Sequence, residues 1–260
     1  MNSNFSLLTS KFSLLTSHFS LMKVGLFGGT FNPIHFGHLE AVSQVRKEFA
    51  LDRIYLIPSA IPPHKPPQGI ADAQDRLEMT RIAVSEYPII KDCVTVSDIE
   101  LRRSGPSYTI DTVCHFKAIL PDAELFFIAG LDAFLETNSW KSCMKLFRKI
   151  SFIVMPRAGY AGDIREAVKT YLHTCISEGY RFQDEPRSGA KIRNGIAAPQ
   201  CGAECYIHSE MQPVYISSVC LPDISSTEIR RRIKAGQPVR QMIPEPVENF
   251  IKTKGLFNDA

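Results

Sequence analysis

The chain has 260 residues, of which 44% are hydrophobic and 22% charged, and its formal net charge is +3. It can bury a full-sized core, and its composition argues against both a disordered chain and a nucleic-acid scaffold with a large basic field. No apolar run reaches the roughly 18 residues of a membrane span, and seven cysteines without framework spacing indicate reduced thiols in a cytoplasmic protein.

The first 21 residues differ from the rest of the chain. FSLLTS at 5–10 recurs at 12–17, and the segment holds no acidic residue. It lacks the basic start and the cleavage site of a secretory signal, which weakens a targeting interpretation. We interpret 1–21 as a disordered leader or a mis-assigned start, followed by a single domain over 22–257.

The stretch 22–39, MKVGLFGGTFNPIHFGHL, predicts a strand, a glycine turn, a polar loop and a helix. A glycine turn that leads into a helix brings backbone N–H groups and the helix dipole to an anion. His35 and His38 lie at the opening of the helix, which suggests a phosphate that undergoes chemistry. A structural zinc site is disfavoured, because no cysteine or carboxylate follows at ligand spacing.

Strands and helices then alternate along the chain. We predict strands at 53–57, 94–101, 124–129, 150–155 and 214–217, and helices at 73–87, 107–120, 164–176, 225–234 and 246–254. Such β-α-β units form parallel sheets with right-handed crossovers. The predicted fold is therefore α/β, a Rossmann-like doubly wound parallel sheet with a small C-terminal helical part.

Polar segments follow several predicted strands. The loop at 58–67 contains five prolines around His64 and Lys65, and Asp132 follows the apolar run ELFFIA. Open α/β sheets bind ligands at the carboxyl ends of their strands, so these segments are candidates for substrate binding. Residues 178–205 are polar and without periodicity, and we predict an inserted loop there. Two cysteines and a histidine within and just after that loop do not have zinc-finger spacing.

GGTFNPIHFGH is similar to the signature of the HxGH nucleotidyltransferase superfamily. The order IPSAIPPHK, GPSYTIDT, FFIAGLD, MPR and ISSTEIRRRI further resembles bacterial nicotinate-nucleotide adenylyltransferases over 22–257, apart from the inserted loop. The resemblance implies a fold of the nucleotidyltransferase type. It also implies adenylyl transfer from ATP to nicotinate mononucleotide, with Mg²⁺ assisting, to give deamido-NAD and pyrophosphate in NAD biosynthesis. Asn32 departs from the family, which more often has aspartate there.

Carried over residue by residue, the resemblance implies two groups of site residues. The first would bind ATP: Gly28, Gly29, Thr30, His35, His38, Asp132, Ser225, Ser226 and Arg230. Of these, His35, His38 and Arg230 would be catalytic, because they stabilise the charge that develops on the phosphates. The second group would bind the mononucleotide: Phe31, His64, Lys65, Thr109, Trp140 and Arg157.

Several alternatives remain open. Trp140 could be a core residue instead of a platform for the pyridine ring, and Asp132 could cap a helix. The enzyme could adenylylate another phosphomonoester such as phosphopantetheine, or the chain could be a non-catalytic nucleotide-sensing module. We expect no nucleic-acid or membrane partner. The choice between nicotinate and nicotinamide mononucleotide stays open, and so does the oligomeric state, with a homo-oligomer as one alternative.

Overall fold

The computed structural model describes residues 21–63, 68–157, 159–160, 162–183, 191–192, 196–197 and 204–258. The leader up to residue 20, both His64 and Lys65, and most of the predicted insertion lie outside these residues. In the part of the chain that is described, no helix combines the length and the apolar character needed to cross a membrane.

Strands and helices alternate through most of the chain, as the sequence predicted. The strands are β1 (Lys23–Gly29), β2 (Arg53–Pro58), β3 (Val94–Val96), β4 (Glu124–Gly130), β5 (Ser151–Met155), β6 (Arg181–Gln183), β7 (Lys191–Ile192), β8 (Ile196–Ala197), β9 (Cys205–Ile207) and β10 (Val214–Ile216). The helices are α1 (Phe36–Glu48), α2 (Ala73–Ser85), α3 (Thr109–Ile119), α4 (Leu131–Phe134), α5 (Cys143–Lys149), α6 (Ile164–Tyr171), α7 (Ser226–Lys234) and α8 (Glu245–Lys254). A 3₁₀ turn spans Thr137–Ser139, and a π-helical turn spans Leu172–Ile176.

Eight strands form one sheet in the order β3-β2-β1-β4-β5-β10-β9-β6. Six neighbouring strands of the sheet run parallel: β3, β2, β1, β4, β5 and β10. At the other end of the sheet, β9 is antiparallel to β10, and β6 is antiparallel to β9. The chain winds outward from β1 in one direction through β2 and β3, and in the other direction from β4. The order reverses between β1 and β4, so a ligand crevice opens at the carboxyl ends of these two strands. The predicted Rossmann-like fold is confirmed.

Helices cover both faces of the sheet, and this explains the continuous apolar strands. Neighbouring side chains of a strand point to opposite faces. In β4, Phe126 therefore packs in one core cluster, with Tyr215, and Phe127 packs in the other, with Phe152. Phe126 is 0% and Phe127 5% exposed. Both faces of this strand must be apolar, as the run ELFFIA indicated.

The C-terminal helices also follow their local signals. Ser225 caps α7, because its Oγ accepts the backbone N–H of Glu228 at 3.2 Å. Gly255 ends α8 in the left-handed conformation, with φ at 63°. Both ends were predicted from capping residues.

Two predictions were wrong, one of a strand and one of a loop. The strand predicted at 94–101 ends at Val96, because the backbone turns at Asp98, whose carbonyl accepts the N–H groups of Leu101 and Arg102 at 2.9 and 3.1 Å. The predicted loop at 178–205 contains strands at both of its ends. β9 pairs with the nearby β10, and β6 pairs with β9 over a long stretch of sequence, so both strands extend the sheet beyond β10.

Candidate active site

The corner after β1 depends on Gly29. A Cβ atom on Gly29 would lie 2.8 Å from the ring of Phe31, so only glycine lets this ring cross the end of the strand. Phe31 itself has φ at 47° and is 2% exposed. Its ring packs edge-to-face on His38, with 5.0 Å between the ring centroids. The buried ring therefore supports His38, and the predicted contact of Phe31 with the substrate stays a prediction.

His35 and His38 form a stacked pair at the start of α1. Their ring centroids are 3.7 Å apart, with 29° between the planes. The backbone N–H of His35 donates to Nδ1 of His38 at 3.3 Å. A neutral His38 therefore carries its proton on Nε2, where it can donate to an anion. Gly37 allows this packing, because a Cβ there would lie 3.0 Å from Nδ1 of His35.

The two histidines differ in burial. His35 is 6% exposed, and burial lowers its pKa to about 4. It is thus neutral near pH 7, and its Nδ1 has no hydrogen-bond partner within the described residues. His38 is less buried. Because His35 is neutral, the pair does not present two fixed positive charges to an anion. It acts on an anion mainly through hydrogen bonds.

Helix α7 docks on the loop that carries the histidines. The hydroxyl of Ser226 donates to the carbonyl of Pro33 at 2.9 Å, and Nη1 of Arg230 donates to the carbonyl of Asn32 at 2.8 Å. These contacts join residues about 200 positions apart and bring the start of α7 beside the start of α1. The predicted ATP residues of both segments therefore meet in one corner, which both helix dipoles face.

Arg230 differs from the two arginines that follow it. Arg231 and Arg232 both pair with Glu228 on the surface, with nearest distances of 2.7 and 2.8 Å. Arg230 alone of the three turns toward the histidine loop, where burial lowers its pKa. It remains a cation at neutral pH, since arginine is effectively always protonated.

Asp132 and Arg157 lie at the ends of the next two strands. Oδ2 of Asp132 and Nη1 of Arg157 are 3.2 Å apart, and the two side chains are 64% and 68% exposed. Asp132 does not cap α4, because Gly130 occupies the cap position. The open ion pair lies at the same edge of the sheet as the histidine pair, and both groups remain accessible to a ligand.

The segments that carry Thr109 and Trp140 contact each other through their neighbours Tyr108 and Lys141. Thr109 is the first residue of α3, and the ammonium of Lys141 lies 4.4 Å from the centre of the Tyr108 ring. The indole of Trp140 packs edge-to-face on Phe127 at 5.9 Å and stays partly exposed. Trp140 is thus both a core contact and an open aromatic face.

A buried tyrosine holds the turn that precedes Trp140. The hydroxyl of Tyr171 accepts the backbone N–H of Asn138 at 2.6 Å and shares a hydrogen bond with Thr137 at 2.8 Å. The position of the indole is therefore set by α6 as well as by its own segment.

The sequence did not reveal the buried network of Arg76, Glu100 and Ser107. These side chains are 1%, 7% and 9% exposed. A signal was present for Arg76, because it shares the buried face of α2 with Thr80 and Ala83 at helical spacing. An arginine in such an apolar stripe indicates a specific buried partner.

The described residues offer no cluster of three or more His, Cys, Asp or Glu that could hold a metal ion. Asn32 cannot readily serve as a ligand either. Its Oδ1 accepts the N–H of Ala71 at 3.0 Å, and its Nδ2 donates to the carbonyl of Gly69 at 2.8 Å. The amide is committed to holding a neighbouring loop.

The chain belongs to the cytidylyltransferase-like family, whose model matches residues 26–232. It is 38% identical to a probable nicotinate-nucleotide adenylyltransferase of Desulfatibacillum aliphaticivorans over 91% of this chain and 100% of the relative. A relative of the same name from Thermus thermophilus is 36% identical, with 91% and 100% covered. Within the family, the chain is a nucleotidyltransferase of the nicotinate-nucleotide adenylyltransferase group.

Solved structures share the fold at lower identity. The nicotinic acid mononucleotide adenylyltransferase of Plasmodium falciparum, complexed with NaAD, superposes with a TM-score of 0.65. It is 17% identical, and the match covers 91% of this chain and 97% of that one. At this identity the likeness supports the fold alone.

Proposed function

We propose that the chain transfers the adenylyl group of ATP to nicotinate mononucleotide, forming deamido-NAD and releasing pyrophosphate. One observation supports the proposal: α7 docks on the loop that leads into the histidines, where Ser226 and Arg230 donate to the carbonyls of Pro33 and Asn32. Two helix starts, two imidazoles and a guanidinium then face one anion. A triphosphate fits such a corner.

The reaction needs no protein nucleophile and no general base. An oxygen of the mononucleotide phosphate attacks the α-phosphorus of ATP, and the bond from that phosphorus to the bridging oxygen breaks. Pyrophosphate leaves with the electron pair. The attacking phosphate is already largely dianionic at pH 7, because its second pKa is about 6. The histidines therefore have no proton to remove from the attacking group, and a neutral His35 can act only through hydrogen bonding.

Charge stabilisation is the main task of the corner. Negative charge builds up on the equatorial oxygens and on the leaving pyrophosphate. Gly28, Gly29 and Thr30 bring backbone N–H groups to the phosphates. The Nε2–H of His38 and the guanidinium of Arg230 donate to the oxygens. Held in place before the reaction, these donors need little reorganisation during it.

The mononucleotide would lie across β2, α3 and β4. Thr109 at the start of α3 would receive the nicotinate carboxylate, which the helix dipole favours by roughly 0.3–1 kcal/mol. Trp140 would stack on the pyridine ring. Lys65, with His64 beside it, would bind the phosphate, and the exposed pair of Asp132 and Arg157 would exchange its ion pair for contacts with ribose and phosphate.

Mg²⁺ enters this proposal as part of the MgATP substrate. The described residues supply no ligand cluster for it, and Mg²⁺ commonly keeps several waters and binds through substrate phosphates. Bound in this way, it neutralises charge on the triphosphate. The scattered spacing of the seven cysteines supports a cytoplasmic location.

The test is the kcat/KM for pyrophosphate release with ATP and three acceptors: nicotinate mononucleotide, nicotinamide mononucleotide and phosphopantetheine. It should be run on the full chain and on a chain that begins at Met22. We expect nicotinate mononucleotide to be preferred and the shorter chain to be equally active. Adenylylation of phosphopantetheine without turnover of either pyridine nucleotide would refute the proposal.

A further inference from the structure

Arg76 is a buried arginine that donates hydrogen bonds to the backbone of two loops. It lies in the first turns of α2 and is 1% exposed. Its Nε donates to the carbonyl of Ala71 at 2.9 Å, and its Nη2 donates to that of Ala60 at 3.0 Å. Its Nη1 donates to the carbonyls of Thr30 at 2.8 Å and Ser59 at 2.6 Å. Thr30 follows β1 and Ser59 follows β2, so one side chain joins the loops at the ends of two neighbouring strands.

The position is unfavourable for a cation. It is buried and lies near the N-terminus of α2, where the helix dipole is positive. Burial lowers the pKa of Arg76, whereas the charges of Asp72 and Glu100 raise it. Replacing buried charges with well-packed apolar groups is often neutral or stabilising. Stability alone therefore explains this arginine poorly, while its rigid fork of donors matches four separate carbonyls.

Ser107 extends the connection to the start of α3. Its Oγ accepts the backbone N–H groups of Ala60 at 2.9 Å and Ile61 at 3.3 Å, and its own N–H donates to the carbonyl of Ile61 at 2.9 Å. The buried carboxylate of Glu100 accepts the hydroxyl of Thr112, a residue of α3, at 2.6 Å. The β1–α1 loop, the loop after β2 and the start of α3 thus form one hydrogen-bonded layer.

We propose that Arg76 is a positioning residue that sets the distance between the two substrates. It holds the β1–α1 loop, which we assign to ATP, against the loop after β2 and the start of α3, which we assign to the mononucleotide. The inference rests on the proposed function. Each loop keeps its own ligand contacts without Arg76, but the attacking oxygen and the α-phosphorus are no longer aligned. A misplacement of about 1 Å can cost on the order of 10²-fold in rate.

The first test separates kcat from KM in Arg76→Lys. This variant keeps the cation but loses the planar fork. We expect kcat to fall about 30- to 100-fold, while the KM values for ATP and nicotinate mononucleotide stay close to those of the wild type. Arg81→Ala is the matched control on the same helix, because the Arg81 side chain is 49% exposed and only 3.8 Å contacts link it to carboxylates. Its kcat should be unchanged.

The second test is chemical rescue of Arg76→Ala. Guanidinium ion, added far below denaturing concentrations, should enter the vacated site and restore part of kcat, whereas sodium chloride at the same ionic strength should not. If Arg76→Ala does not fold, the Arg76→Lys measurement decides alone. A lower Tm with unchanged kcat in Arg76→Lys would overturn the inference. Wild-type enzyme inactive on nicotinate mononucleotide would instead refute the proposed function.

Discussion

Gly29→Ala is the sharpest test of how the histidine pair is supported. Gly29 is not among the described glycines with positive φ, so alanine adds no backbone strain and the cost is steric. The new Cβ would lie 2.8 Å from two ring atoms of Phe31. Ordinary contacts begin near 3.4 Å, so the ring must move by roughly 0.6 Å while it stays packed between Phe27 and His38.

Overpacking of this kind typically costs about 1–3 kcal/mol. For a chain of this size, that corresponds to a Tm lowered by roughly 2–12 °C. The displaced ring also pushes on His38, so we expect kcat to fall about 10- to 100-fold. Thermal unfolding and pyrophosphate release measure the two effects.

Two further variants complete the test. Gly28→Ala controls for stability, because its Cβ would meet Phe127 at an ordinary 3.6 Å; its Tm should stay within about 2 °C of the wild type. Phe31→Leu, combined with Gly29→Ala, should relieve the clash, so that the two stability changes are not additive. If Gly29→Ala is as stable and as active as the wild type, the supporting role of Phe31 is wrong.

Three other predictions concern neighbouring groups. His35 has its pKa lowered from 6.5 to about 4, so the unfolded chain binds more protons than the folded one between these values. The contribution of His35 to the free energy of unfolding should be fully present above pH 6.5 and smaller by about 2 kcal/mol at pH 5. In urea unfolding, the stability of His35→Asn should depend less on pH than that of the wild type. An equal dependence on pH in both proteins would contradict the lowered pKa of His35. Arg230→Met should lower kcat about 10²- to 10³-fold in steady-state assays, whereas Arg231→Met on the exposed face should change it little. Equal losses would argue against a phosphate contact. Tyr171→Phe leaves the N–H of Asn138 without its acceptor, which should cost about 1–3 kcal/mol in denaturant unfolding and raise the KM for nicotinate mononucleotide; an unchanged KM would show that the turn is held in other ways.

Elements with a strong local signal were predictable from the sequence. The run ELFFIA is apolar on both faces because Phe126 and Phe127 pack in different clusters, and α7 begins where a capping box indicated. The strand predicted at 94–101 was too long, because Ile99 and Leu101 continue an apolar alternation in the sequence although the backbone turns at Asp98. β6 is short and pairs with β9, which lies far along the chain, so no local pattern marks it. β9 is equally short, although it pairs with the nearby β10.

The sequence names candidate site residues, but the contacts that join them come from the fold. The resemblance named Ser226 and Arg230, yet only the fold shows that they bond to the carbonyls of Pro33 and Asn32. Phe31 was expected at the substrate; its ring is buried against His38, and its contact with the substrate stays a prediction. Arg76 was missed, since its partners are backbone atoms of four different residues, which leave no trace in the sequence.

The antiparallel edge of the sheet offers a place to modify the protein. Three strands, β4, β5 and β10, separate β1 from β9, a distance of roughly 19 Å at the usual spacing between strands. The connection from β6 to β9 therefore starts and ends far from the histidine corner. Each doubling of the length of a flexible connection costs only about 0.6 kcal/mol. A peptide tag or a reporter inserted between β6 and β9 would thus be attached roughly four strand spacings from β1, and we expect it to leave the rate of pyrophosphate release unchanged.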